Sequence, residues 1–226
     1  LRCHRTFLVL AKLLCSKGFH VLRFDYSGCG DSSGDIESWS IRDWVSDIST
    51  TVNEMKAGCG ARQVCLVGLR LGASLAAMSS LERGDIDALV LWDPIVSGKR
   101  YLDQLVNAHD SWVRGSFARP QSNLPGDNLR EILGFGLTSS MVRQLSEIDL
   151  MALSQKPAGR VFVIGRDVTR QSDALIQHLR RLNTRTSYKC ISTPEFWLKK
   201  DNTRGKGLVP MQTLNCIIAW FSKVFE

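Results

Sequence analysis

The sequence has no long apolar run. Its longest, such as Val64–Leu69 and Ala88–Trp92, fall far short of the roughly 20 residues needed to cross a bilayer, so no membrane span is expected. Nor is there a block of like charges. Lys and Arg number 29 against 22 Asp and Glu, a net charge of +7, but the excess is spread along the chain. That pattern describes a solvated basic surface, and no nucleic-acid partner is expected. The seven cysteines (Cys3, Cys15, Cys29, Cys59, Cys65, Cys190 and Cys216) contain no C-x-x-C pair, and their count is odd. A zinc ribbon and a thioredoxin-like site are thereby excluded, and a reducing, cytoplasmic setting is expected. No metal or cofactor is expected. No signal peptide precedes Leu1, and the start is expected to be a cut inside a longer chain. Internal repeats are absent.

What is present is ordinary globular composition. The 226 residues are 44% hydrophobic and 23% charged, enough to bury a sizeable core. Phe7–Lys17 has a helical apolar stripe ending at Gly18, and His20–Phe24 reads as a short strand. Asp25–Gly34 is dense in Gly, Ser and Asp and reads as a loop; Ile41–Lys56 is an amphipathic helix. Further strands are expected at Val64–Leu69, Ala88–Trp92, Arg160–Ile164 and Ser187–Ile191, with helices at Leu71–Leu81, Ala174–Leu182 and Val209–Val224. Apolar strands alternating with helices mean a mostly parallel, doubly wound α/β sheet covered on both faces. The core is expected to comprise residues 1–95 and 156–226. The long insertion 96–155, with helical patterns at Tyr101–Val113, Leu129–Leu133 and Ser139–Leu145, is expected to be a helical cap or lid.

The chemically informative segment is Val67-Gly68-Leu69-Arg70-Leu71-Gly72-Ala73. A strand, then Gly-x-X-x-Gly, then a helix is the pattern of a nucleophile elbow, whose central residue is strained and projects from the carboxyl end of the sheet. In a serine hydrolase that residue is Ser. Here it is Arg70.

The order of elements, the Asp25–Ser32 loop, the elbow and the insertion together resemble the α/β-hydrolase superfamily. More narrowly, Gly68-Leu69-Arg70-Leu71-Gly72-Ala73 and Leu91-Trp92-Asp93-Pro94-Ile95-Val96-Ser97-Gly98-Lys99 resemble the exosortase A system-associated hydrolases. These are a bacterial group associated with exopolysaccharide and protein-sorting gene sets. Phe24–Gly34 and Thr193-Pro194-Glu195-Phe196-Trp197 are similar to the same group. The resemblance implies an N-terminally incomplete fold, because superfamily members begin with further strands and a loop supplying one oxyanion-hole N–H. The other donor would be the N–H of Leu71. It also implies an acid at Asp167, after the fourth strand, and a base His after the fifth, where Ile191–Trp197 contains none.

The four histidines lie elsewhere: His4, His20, His178, and His109 in the insertion, the one placed to reach a cleft. Ser74, Ser32, Ser33 and Cys29 are candidate substitute nucleophiles, read more simply as turn and packing residues. Arg70 must find an anion, and Asp167, Asp93 and Glu195 are the internal candidates. The expectation is an Arg70–Asp167 pair filling the space of the missing His, with capture of a ligand carboxylate or phosphate as the competing role. Trp197 and Trp112 could wall the cleft, while Trp92 is expected in the core. Three readings follow: a degenerate hydrolase binding a small acyl or anionic ligand at Arg70, Leu71, Glu195 and Trp197; an unorthodox ester or thioester hydrolase; and a non-catalytic domain with a protein partner.

Overall fold

The computed structural model describes residues 2–115, 129–193 and 209–225. Seven α-helices occur among them: α1 (Arg2–Cys15), α2 (Ile41–Cys59), α3 (Leu71–Arg83), α4 (Gly98–Gly115), α5 (Ser139–Glu147), α6 (Arg170–Arg181) and α7 (Met211–Phe225). The strands are β1 (Cys65–Leu69), β2 (Ala88–Trp92), β3 (Leu129–Ile132), β4 (Phe135–Thr138), β5 (Arg160–Gly165) and β6 (Arg185–Cys190). Four of them, in the order β1-β2-β5-β6, make one sheet in which every pair is parallel.

Alternation along the strands builds two cores. Leu89 and Leu91 of β2 and Val161 and Val163 of β5 pack with α2, α3 and α6 on one face. Ala88, Val90, Trp92, Phe162 and Ile164 pack with α1 and α7 on the other. Every residue of β2 is buried, so the strand reads as a continuous apolar run, as a strand covered on both sides must. α2 begins with a reciprocal capping box between Ser40 and Asp43 and ends at Gly60 in the left-handed region.

The two edges of the sheet differ. β6 (Arg185-Thr186-Ser187-Tyr188-Lys189-Cys190) is polar and exposed, as an edge strand usually is. β1 is apolar, pairs among the described residues only with β2, and apart from Gly68 is half-buried. The expected strand at His20–Phe24 is not formed. Among the described residues its backbone has no ladder partner, and Leu22 and Phe24 are exposed. A β-like composition does not make a strand without a neighbour to bond.

Between β2 and β5 lie α4, the β3–β4 hairpin and α5. The helix expected at Leu129–Leu133 is corrected to a strand turning through Leu133 (φ 55°) and Gly134 (φ 84°) into β4, the two-residue turn with both central φ positive that matches strand twist. α4 and α5 meet closely: a side chain on Gly98 would collide with the Leu145 carbonyl. An isolated bridge, Ser97 to Asp149, ties the two ends of this excursion together.

Candidate active site

The elbow forms as a sharp turn from β1 into α3. Arg70 sits at φ 54°, ψ −122° as the residue capping α3, a region sparsely populated by non-glycine residues and costing on the order of 1–3 kcal/mol. Gly68 makes the turn possible. A Cβ there would lie 2.4 Å from Ala73 Cα and from the Gly72 carbonyl oxygen. Gly72 has ordinary room, with Tyr26 Oη 3.6 Å from the position a Cβ would take, so close approach of strand and helix rests on Gly68 alone.

The adjacent strand repeats the device. Asp93, just past β2, has φ 45°. Each strained residue is held by its neighbour: Arg70 N–H donates to Trp92 O (2.9 Å), and Asp93 N–H donates to Ile164 O (2.7 Å). Their side chains meet. Arg70 Nη1 donates to Asp93 Oδ2 at 3.0 Å, with the two side chains 27% and 22% exposed. Helix α4 adds Gln104, whose Oε1 lies 3.5 Å from Arg70 Nη2, and Tyr101, whose ring centroid is 5.8 Å from the guanidinium carbon. Burial pushes the Tyr101 hydroxyl pKa up, and the neighbouring Arg70 charge partly opposes it. Leu71 and Gly72 open α3, and the first-turn amides of a helix have no carbonyl partner within it and lie at the positive end of its dipole.

The expected Arg70–Asp167 pair is therefore replaced by Arg70–Asp93. Strand order explains it: β2 lies beside β1, whereas β5, which precedes Asp167, lies one strand further away. Asp167 is instead 65% exposed and is approached by Arg166 Nε at 3.4 Å. Glu195, Phe196 and Trp197 fall outside the described residues. Trp92 is buried, and Trp112 is exposed on α4.

The substitute nucleophiles have other work. Ser74 is fully buried and its hydroxyl donates to Ile95 O at 2.7 Å. Ser32 donates to Asp25 O at 2.6 Å within its own loop. Burial pushes the Cys29 thiol pKa up, reinforced by the Asp25 and Asp47 carboxylates, which disfavours the thiolate. His109 Nδ1 accepts the Leu133 N–H at 3.1 Å, linking α4 to the hairpin, and His178 Nε2 bonds Leu153 O at 2.9 Å. His4 and His20 are exposed on the surface. No group of His, Cys, Asp and Glu able to hold a metal ion occurs among the described residues, and no described helix is long and apolar enough to cross a membrane.

The sequence named Arg70 and Asp93 but missed Tyr101 and Gln104. Their only signal was a spacing of three on α4, which places them on one helix face without saying what that face covers.

Comparison with known proteins agrees with this architecture. The family model described as serine aminopeptidase, S33 matches residues 3–165. Human Protein ABHD12B is 36% identical over 94 residues, 40% of this chain and 25% of that protein. The chain thus matches about a quarter of the length of that relative. Among solved structures, the Pyrococcus furiosus esterase Pf2001 superposes with a TM-score of 0.64 at 15% identity, covering 98% of this chain and 75% of that one. Est1E from Butyrivibrio proteoclasticus gives 0.64 at 15%, covering 98% and 82%. At these identities the structures share an α/β-hydrolase fold with this chain.

Proposed function

The chain belongs to the serine aminopeptidase S33 family, and we propose that it uses the hydrolase fold to bind a small acyl or other anionic ligand without hydrolysing it. The observation carrying this reading is Arg70 at the elbow, where a serine would stand, bonded to Asp93 at the end of the neighbouring strand. Losing the nucleophile or the base of such a site costs about 10⁶ in turnover, roughly 8 kcal/mol. A surviving oxyanion hole supplies only about 10³–10⁴ over water.

A guanidinium is permanently charged and presents a planar fork suited to a carboxylate or phosphate. In the proposed bound state the ligand anion takes the place of Asp93 on Arg70 and faces the Leu71 and Gly72 amides, while Tyr101 and Gln104 form the wall from α4. Residues 96–155 act as the cap over a core of residues 1–95 and 156–226. Asp167 remains as the relic of the acid position, and Glu195 and Trp197 belong to the ligand-binding set on family resemblance. On the same resemblance, we read the protein as one of the bacterial exosortase-associated hydrolases. Its free cysteines are consistent with a cytoplasmic setting.

The test uses the full chain with p-nitrophenyl butyrate and octanoate. Ester turnover stays at background, octanoate binds saturably in calorimetry, and Arg70→Gln weakens that binding at least tenfold. Turnover above background, or octanoate affinity indifferent to Arg70→Gln, overturns the proposal.

A further inference from the structure

We propose that the opposite, amino end of the sheet holds a second site, one that binds the phosphate groups of a small phosphorylated molecule. Arg160 opens β5 and Arg185 opens β6, and the two are register partners in a parallel pair. Register partners project from the same face, on strands about 4.8 Å apart. Arg160 is also the register partner of Ala88 on β2, which is buried in the core behind it. A groove of about 440 Å³ lies here, lined by Arg160, Arg185, Lys156, Asp87 and Asn183 among others. That volume suits a ligand of roughly metabolite size.

Three cations meet one acid in this groove. Among the described residues, Arg70, Arg83, Arg166 and Lys56 each have a carboxylate within ion-pair distance, and Lys156, Arg160 and Arg185 do not. That acid, Asp87, is fixed by the Val64 N–H, which its Oδ2 accepts at 2.8 Å, and it offsets one of the three positive charges. Like charges opposite one another on neighbouring strands disfavour the sheet unless an anion lies between them.

The groove is also preorganised. Arg160 Nη1 donates to the Val224 carbonyl near the end of α7, which fixes the guanidinium. The rim is laced by Arg160 N–H to Asp87 O (3.2 Å) and Arg185 N–H to Gly159 O (3.1 Å). Asn183, at φ 59°, turns the chain from α6 into β6 at the same rim. The Arg185 fork, the remaining N–H groups of Arg160 and the Lys156 ammonium match a multiply charged phosphate, since a fork can bond two oxygens of one group. With Asp87 counted, a monocarboxylate would leave one positive charge unmatched, whereas a phosphate dianion would balance the groove. This site is independent of the reading given for Arg70.

Calorimetric titration of the full chain with inorganic pyrophosphate tests it. One saturable site is expected, with affinity falling as salt rises. Arg185→Gln, at an exposed position, should weaken binding at least tenfold and Lys156→Gln about threefold, while Arg143→Gln on the exposed face of α5 leaves it unchanged; circular dichroism checks that each variant is folded. Absence of saturation at millimolar pyrophosphate overturns the proposal, as does equal weakening by Arg143→Gln, or a loss that follows Arg70→Gln and not Arg185→Gln. A duplex oligonucleotide binding more tightly than pyrophosphate overturns the assignment to a small molecule.

Discussion

The two ends of the central sheet treat arginine in opposite ways. At the carboxyl end, one guanidinium is held on a strained residue and bonded to a carboxylate on the next strand. At the amino end, Arg160 and Arg185 are register partners on unstrained strand residues, and among the described residues neither has a carboxylate within ion-pair distance. The first is a charge the fold has already neutralised, so a ligand must displace Asp93 to use it. At the second, Arg185 is exposed to solvent and a ligand can meet it without displacing a carboxylate. Positive residues at the mouth of a cleft therefore do not mean the same thing at every site; what their neighbours already hold decides.

Substitutions sharpen this contrast, beginning with the most damaging. Gly68→Val forces a side chain into the backbone of Gly72 and Ala73 and should lower stability by about 3 kcal/mol or more, read from urea unfolding. It would dismantle the elbow and leave the groove at the other end to be compared in isolation. Asp93→Asn keeps the shape and tolerates the positive φ, but strips the charge from beside Arg70. A loss of about 1–2 kcal/mol is expected, because Arg70 is partly solvated. Arg185→Gln should act with the opposite sign, raising stability by about 0.2–1 kcal/mol as the in-register repulsion is relieved. If both charge removals destabilise, the contrast between the two ends fails.

The smallest effect is expected at Asp85, which pairs with Lys56 and Arg83 at 2.7 and 2.8 Å near the start of β2. Bonds from Arg83 and then Lys56 hold its pKa below the usual carboxylate range. The stabilisation is present above the unfolded-state pKa and disappears as pH falls through the lower folded-state value. Asp85→Asn should therefore cost under about 1 kcal/mol at neutral pH, shrink further in high salt, and vanish in acid. Thermal melts across pH and ionic strength would show it.

Much of this was legible in the sequence because it is local. A strand, a Gly-x-Arg-x-Gly turn and a small-residue helix follow one another within residues 65–83, and each announces itself by composition. The partner of Arg70 was not local. Asp93 and Asp167 both follow a strand, and only the spatial order β1-β2-β5 says which lies within reach. His20–Phe24 misled for a related reason: β-branched and aromatic residues state a preference, and ladder bonds come from elsewhere in the chain. At Leu129–Leu133 five residues were too few to separate a helical stripe from one arm of a hairpin, and the turn uses Leu133 where Asn or Gly usually serves. The arginines at the amino end were invisible as a pair, since 25 positions separate Arg160 from Arg185 and only the β5–β6 register unites them.

The unshared side of β1 has a practical corollary. Among the described residues β1 bonds on one side only, and an apolar strand with an unpaired side is a template for one more extended segment. A segment that seats there, from this chain or another, would carry the parallel sheet on by one strand.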